Sequence, residues 1–218
     1  RSLWDLLGDS GLKQSGAARR IQDPISLRCA SHVFGALHAA LAFARPAVEV
    51  EINGAADNPA VLWEEGEIFS TGNFHTPSLA QAFDLLAISL AQVGSISGQR
   101  VGRMLRREYT DLPDSLSRYA EGTVRIGMGL VSLNARSQAK EIQLLAAPAS
   151  VFDSSGYEVE DHEPMAPAAV RKFWRALAHW RQIIACELLV SAEAFDQRNP
   201  ERPAPVAVAL RDQVRTLV

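Results

Sequence analysis

Arg28 has the surroundings best suited to chemistry. In the run Gln22-Asp-Pro-Ile-Ser-Leu-Arg-Cys-Ala-Ser31, Asp23 is a side chain that can cap a helix, and Pro24 suits a first helical position, where its missing N–H costs nothing. Arg28 then falls about one turn inside, and Gln22 lies just outside, where its amide can face a ligand. A guanidinium matches a carboxylate with two parallel hydrogen bonds, which an ammonium cannot do. The segment reads either as a carboxylate clamp or as an ordinary capped helix carrying a surface arginine. A second charged cluster, Glu158, Glu160, Asp161 and Glu163, surrounds His162. It is either a solvated loop or, if burial and neighbours tune it, the source of a carboxylate that moves protons. Asp57-Asn58-Pro59 is turn chemistry, and both acidic and amide side chains are expected to brace the loop through bonds to the backbone.

Other chemistries lack their patterns. No Gly-x-Gly-x-x-Gly follows a strand, and there is no phosphate-binding loop, no His-Glu-x-x-His and no nucleophile elbow. The histidines at 32, 38, 75, 162 and 179 and the two cysteines lack metal-ligand spacing, so no metal is expected. A net charge of −3 with scattered Lys and Arg argues against a nucleic-acid partner. The chain of 218 residues, 47% hydrophobic and 22% charged, has the balance of a globular protein with a sizeable core. Cys29 and Cys186 fall in predicted helices far apart, which suits reduced thiols in a cytoplasmic protein. Arg, Asp, Glu or Gln interrupts every apolar run, so no membrane span is expected. The start, Arg1-Ser-Leu-Trp4, has no initiator Met and no signal-peptide pattern, and reads as a chain that begins in mid-protein.

The elements that must position these residues are mostly helices. A lead-in over 1–21 is weakly patterned, a core portion covers 22–198, and 199–218 holds a loop and a last helix that reads as truncated. The first helix is predicted from Pro24 to Ala44, ending before Arg45-Pro46 because a residue preceding proline avoids the α region. Val48-Glu-Val-Glu-Ile52 alternates, and residues 47–75 read as short strand-like pieces and loops. A long helix opens at Thr76-Pro77 and runs to about Arg107, with Leu79, Ala82, Phe83, Leu86, Leu90 and Val93 on its apolar face. Another is predicted at roughly 129–147, and a further one from Pro167 to about Phe195, its buried stripe including Val170, Phe173, Trp174, Leu177, Ile184 and Leu188. The expected class is mainly α, a bundle of long helices with one short strand- and loop-rich segment.

Four blocks together, Gln22–Ser31, Asn53–Pro59, Gly72-Asn-Phe-His75 and Val159-Glu-Asp-His-Glu-Pro-Met-Ala-Pro167, resemble the C-terminal part of the histidine and phenylalanine ammonia-lyase family in order and rough spacing. The resemblance runs from about Ile21 to Arg198. It implies that Arg28 binds the carboxylate of an amino acid substrate and that Gln22 lines the same pocket. It also implies that Phe74 packs beside an electrophilic prosthetic group; read without it, Phe74 is a core aromatic before a helix. Glu160 would face the substrate side chain as a catalytic carboxylate. It stands where plant phenylalanine-using members tend to carry glutamine, which leans toward histidine as substrate.

Two departures from the family pattern matter. Ile25 occupies the place of a tyrosine that is the usual candidate for the base removing the β-proton, and isoleucine has nothing to titrate. Val159 stands where glutamine is typical. The family's prosthetic group, 4-methylideneimidazole-5-one (MIO), is built from an internal Ala-Ser-Gly, and it supplies an electron sink that ordinary side chains cannot. Here the Ser-Gly pairs beginning at Ser10, Ser15, Ser97 and Ser155 follow Asp, Gln, Ile and Ser. The resemblance places the MIO-forming triad upstream, so an N-terminal segment of the same protein is expected as a partner, with a homotetramer for the intact protein and no catalysis by this chain alone. The implied reaction is non-oxidative elimination of ammonia to an α,β-unsaturated acid. The alternatives are a non-catalytic homologue or assembly fragment, and an aminomutase or a lyase for another amino acid. The related fumarase and aspartase enzymes fit less well, since Pro164-Met-Ala-Pro167 lacks their lysine.

Overall fold

Ser2 and Asp5 open the fold with a reciprocal cap on α1 (Leu3–Leu6), the Ser2 side chain accepting from the Asp5 N–H and Asp5 accepting from the Ser2 N–H. The computed structural model describes residues 2–118, 127–152, 156 and 159–218. After a 3₁₀ turn at Gly11–Lys13 come the one-turn α2 (Ile25–Arg28) and the long α3 (Ala30–Asn53). Strands β1 (Ala60–Leu62) and β2 (Glu67–Phe69) form an antiparallel hairpin with Val61 opposite Ile68. Then follow α4 (Pro77–Met104), the short α5 (Arg107–Thr110), α6 (Gly129–Leu145), α7 (Ala166–Arg198) and α8 (Pro205–Arg215). The described residues are mainly α, as expected, and the starts of α4, α6 and α7 fall within one residue of their sequence signals.

The chain divides into two compact units. One comprises Arg1–Ala30, Gly94–Ala139 and Arg181–Val218, and the other Ser31–Val93 and Lys140–Trp180, so α4, α6 and α7 each contribute a portion to both. In the first unit Val101, Leu105, Leu112, Leu116, Ala135, Cys186 and Val190 form the core. In the second, Ala40, Ala44, Ala82 and Leu86 pack together with Leu37, Ala47, Phe83 and Phe173, and a neighbouring cluster joins Ala80, Ala149, Ala166 and Ala169. Alanine at these contacts lets helices approach closely, since interaxial distance follows side-chain size.

Several expectations need correction. Asp23 makes no cap; Pro24 is itself the N-cap of α2, and the helix breaks at Cys29 rather than running on. The next helix does not stop before Pro46 but carries it in its interior as far as Asn53. The stripe Leu37, Ala40, Ala44 and Ala47 lies on one helical face against the core, and that packing outweighs the hydrogen bond which proline cannot donate. Residues 48–52 are therefore helical, not strand-like, with Val50 and Ile52 exposed. On α7 the buried positions include Ala169, Ala176, Ile183, Cys186 and Val190, whereas Trp174 is 58% exposed and Leu188 is also exposed. Two helices, α3 and α4, are long and apolar enough by composition to cross a membrane, contrary to the expectation, because one or two charges do not offset so many apolar residues. The apolar stretch of α4 is 56% buried, as in a core helix, and that of α3 only 11%. Both cysteines are free.

Glu193, buried in α7, ties three elements of the first unit. It accepts hydrogen bonds from Arg118 (2.8 Å), Gln197 (2.9 Å) and Arg215 of α8 (2.7 Å), while Arg215 also reaches Asp196 at 2.8 Å. Burial alone would push the Glu193 carboxyl up, but the bonds from Gln197, Arg215 and Arg118 together outweigh it and hold the group below its usual value of 4.5. A carboxyl depressed on folding adds stability above its unfolded pKa and loses it as pH falls through the folded one. Urea melts from neutral pH down to about pH 3 should show this acid-side loss in the native sequence. Glu193→Gln should be less stable at neutral pH and should lack that part of the slope.

Candidate functional site

The motif around Arg28 is shaped by a break on either side. Pro24 caps α2, whose first bonds run from the Leu27 and Arg28 N–H groups to the Pro24 carbonyl at 2.9 and 3.1 Å. The Cys29 N–H returns to the Ile25 carbonyl at 2.9 Å and the helix stops there. Arg28 is thus the last residue of a single turn, exposed and in no ion pair among the described residues. Gln22 is exposed ahead of the turn, and Ile25 is 62% exposed at its first position. Only Ser26 points inward, and it is buried.

What holds this turn is a residue that sequence reasoning missed. Arg100 of α4 grips Glu187 of α7 through both carboxylate oxygens, its Nη2 reaching Oε2 at 3.0 Å. The same guanidinium donates to the Ser97 hydroxyl (2.8 Å) and to the Ser26 carbonyl (3.1 Å). Both side chains are largely buried, at 13% and 17% exposure. The available signal was a charge set inside each of two apolar helical patterns, which asks for a buried partner. A cavity of about 670 Å³ lies beside this pair, lined by Asp23, Pro24, Leu27, Tyr109 and the pair itself. Neither Gln22 nor Arg28 lines it.

Phe74 and Glu160 belong to the second unit, Gln22 and Arg28 to the first. Phe74 is 43% exposed in the turn before α4 rather than a core aromatic, and the turn is closed by the His75 N–H donating to the Gly72 carbonyl at 2.9 Å. Glu160 is exposed. Glu158 lies outside the described residues. The two segments meet through their histidines, His75 Nε2 lying 2.8 Å from His162 Nδ1. Asn58 braces its loop across the hairpin instead of locally, accepting from the Thr71 N–H (3.0 Å) and the Ser70 hydroxyl (3.2 Å), and Asp57 takes part through its carbonyl. Among the described residues no cluster of three or more His, Cys, Asp or Glu could hold a metal.

A sequence profile of aromatic amino acid lyases matches residues 1–216. The chain belongs to the aromatic amino acid lyase family. Histidine ammonia-lyase from Symbiobacterium thermophilum is 36% identical over 223 residues, covering all of this chain and 43% of that protein. Among solved structures, histidine ammonia-lyase from Trypanosoma cruzi superposes with a TM-score of 0.83 at 30% identity, over 89% of this chain and 38% of that one. Phenylalanine aminomutase from Pantoea agglomerans gives 0.87 at 25% identity, over 99% and 45%. The chain spans less than half the length of these family members.

Arg100→Ala would strand the Glu187 carboxylate in a largely buried position. It should lower the unfolding free energy by about 3–5 kcal/mol, whereas the double replacement Arg100→Met with Glu187→Leu should recover most of that. Urea denaturation of the three proteins measures both.

Proposed function

We propose that this chain is a portion of a histidine ammonia-lyase-like enzyme that eliminates ammonia from an aromatic amino acid, histidine first among the candidates. The observation carrying this reading is Arg28, an exposed guanidinium in no ion pair among the described residues, at the end of a turn whose backbone is fixed by a buried neighbour. A guanidinium is planar and binds a carboxylate bidentately, and here the backbone that carries it is already held in place. Gln22 supplies an amide beside it, and Glu160 meets the substrate's imidazole or its mobile proton. Phe74 offers a partly exposed ring beside which a flat prosthetic group can rest.

That group is the MIO electrophile, whose chemistry is to act as an electron sink for loss of the β-proton and the amine. None of the Ser-Gly pairs of this chain follows alanine, so its residues do not form MIO. The group is proposed to come from another part of the intact protein, and this chain by itself to be inactive. Exposed Leu41, Phe43, Val50, Ile52 and Trp174 accord with helices that meet further protein in a homotetramer. Gln22, Arg28, Phe74 and Glu160 are then this chain's contribution to pockets shared among copies.

Ile25 supports a second reading. An exposed isoleucine next to Arg28, where the family carries its usual base, describes a pocket that binds an amino acid without turning it over, or one that performs a different rearrangement.

Two substitutions in the intact protein separate these. Arg28→Ala should weaken histidine binding about 100-fold, the loss expected for two charge-assisted hydrogen bonds, as read by calorimetry. An unchanged affinity would remove Arg28 from the site. Ile25→Tyr should raise the rate of urocanate-type product formation by about two orders of magnitude if only the base is missing. No gain would favour the binding-only reading.

A further inference from the structure

We propose that His75 is a positioning residue for Glu160, acting through His162; the inference rests on the functional reading above, which places Glu160 against the substrate. His75 sits one residue beyond Phe74, and its backbone N–H closes the turn that carries that ring. Its imidazole packs edge-on to Phe74, with centroids 6.2 Å apart and planes at 82°. Its Nε2 lies 2.8 Å from Nδ1 of His162, and the two ring centroids are 4.9 Å apart. His75 is half-buried and His162 exposed, so the inner ring is the fixed partner and the outer one the tethered partner.

The tether matters because the segment it holds has so little else. Val159, Glu160, Asp161, His162 and Glu163 are all exposed. Among the described residues, no other hydrogen bond or ion pair is made by these five. On the C-terminal side the chain becomes anchored at Met165 and Ala166, where the Met165 carbonyl accepts from the Ala168 and Ala169 N–H groups and Ala166 is buried. Two residues before His162 stands Glu160, and a bond that fixes one ring therefore fixes the reach of that carboxylate. A contact between two imidazoles requires one N–H facing one unprotonated nitrogen, which makes it directional and sets both rings. It also joins the two segments of this unit that carry candidate site residues, Phe74 and Glu160, into one wall.

The test has two arms. In the first, the full chain is exposed to a Glu-specific protease, and ring nitrogens are followed by NMR on protein labelled at histidine with ¹⁵N. His75→Ala should speed cleavage after Glu160 and Glu163 about tenfold, as loss of local order predicts, and should move the His162 Nδ1 resonance to that of a free imidazole. His75→Gln, which keeps a polar group near the Nε2 position, should restore slow cleavage. Unchanged cleavage and an unchanged His162 resonance in His75→Ala would overturn the proposal.

The second arm uses histidine binding and KM in the intact enzyme. If His75 works through Glu160, His75→Ala should weaken histidine about tenfold in the native background and have no further effect once Glu160→Gln is present, the signature of coupled residues. Additive losses would mean His75 acts elsewhere and would overturn it. Should the intact protein bind no histidine at all, the functional reading fails on its own account, and the tether is still decided by cleavage and NMR.

Discussion

One guanidinium has to serve four acceptors at once for the Arg28 turn to exist in this form. Arg100 satisfies both oxygens of Glu187, the Ser97 hydroxyl and the Ser26 carbonyl. α2 is only four residues long, too short to hold its shape by its own hydrogen bonds. Its inward residue, Ser26, is fixed by a planar donor set that is itself locked by a buried carboxylate. Lysine could neutralise Glu187 but could not span these acceptors, because its donors radiate from one atom. The exposed edge of the turn, with Gln22, Ile25 and Arg28, inherits its geometry from that hidden side.

The helices that bring Arg100 and Glu187 together follow a division of labour by side-chain size. Where elements touch within the second unit, the buried residues are repeatedly alanine: Ala40, Ala44 and Ala82 in one cluster, Ala80, Ala149, Ala166 and Ala169 in another. The bulkier Phe43, Val50, Ile52 and Trp174 point outward. Small contacts permit close approach, and large apolar groups left at the surface favour burial against further protein. A chain that spans less than half the length of the family members it matches is in keeping with such a surface.

The second unit holds its candidate residues by lighter means. Asn58 pins the hairpin loop at Thr71, and a single contact between imidazoles ties the segment of Glu160 to the turn of Phe74. Asp84, buried in α4, accepts from the Ala149 and Ser150 N–H groups at 2.9 and 2.7 Å and so closes the chain after α6. Backbone amides that have left a helix need such acceptors, and a buried carboxylate is a strong one.

Much was legible from local pattern. The starts of α4, α6 and α7 follow from proline and glycine placement, the mainly α class from helical spacing, and the family from four short blocks. These are properties of a segment and its immediate neighbours in the chain, and the sequence by itself determined them. Pro46 defeated local reasoning because Ala47 packs against the core from beyond it, and the alternating Val48–Ile52 became helix for the same reason. The stripe of α7 was misplaced because bulk was taken as a mark of burial, when close helix approach selected alanine. The partnerships of Arg100 with Glu187 and of His75 with His162 each join residues 87 positions apart. Tertiary structure alone decided those, since a charge or an imidazole carries no record of its partner until packing removes it from water.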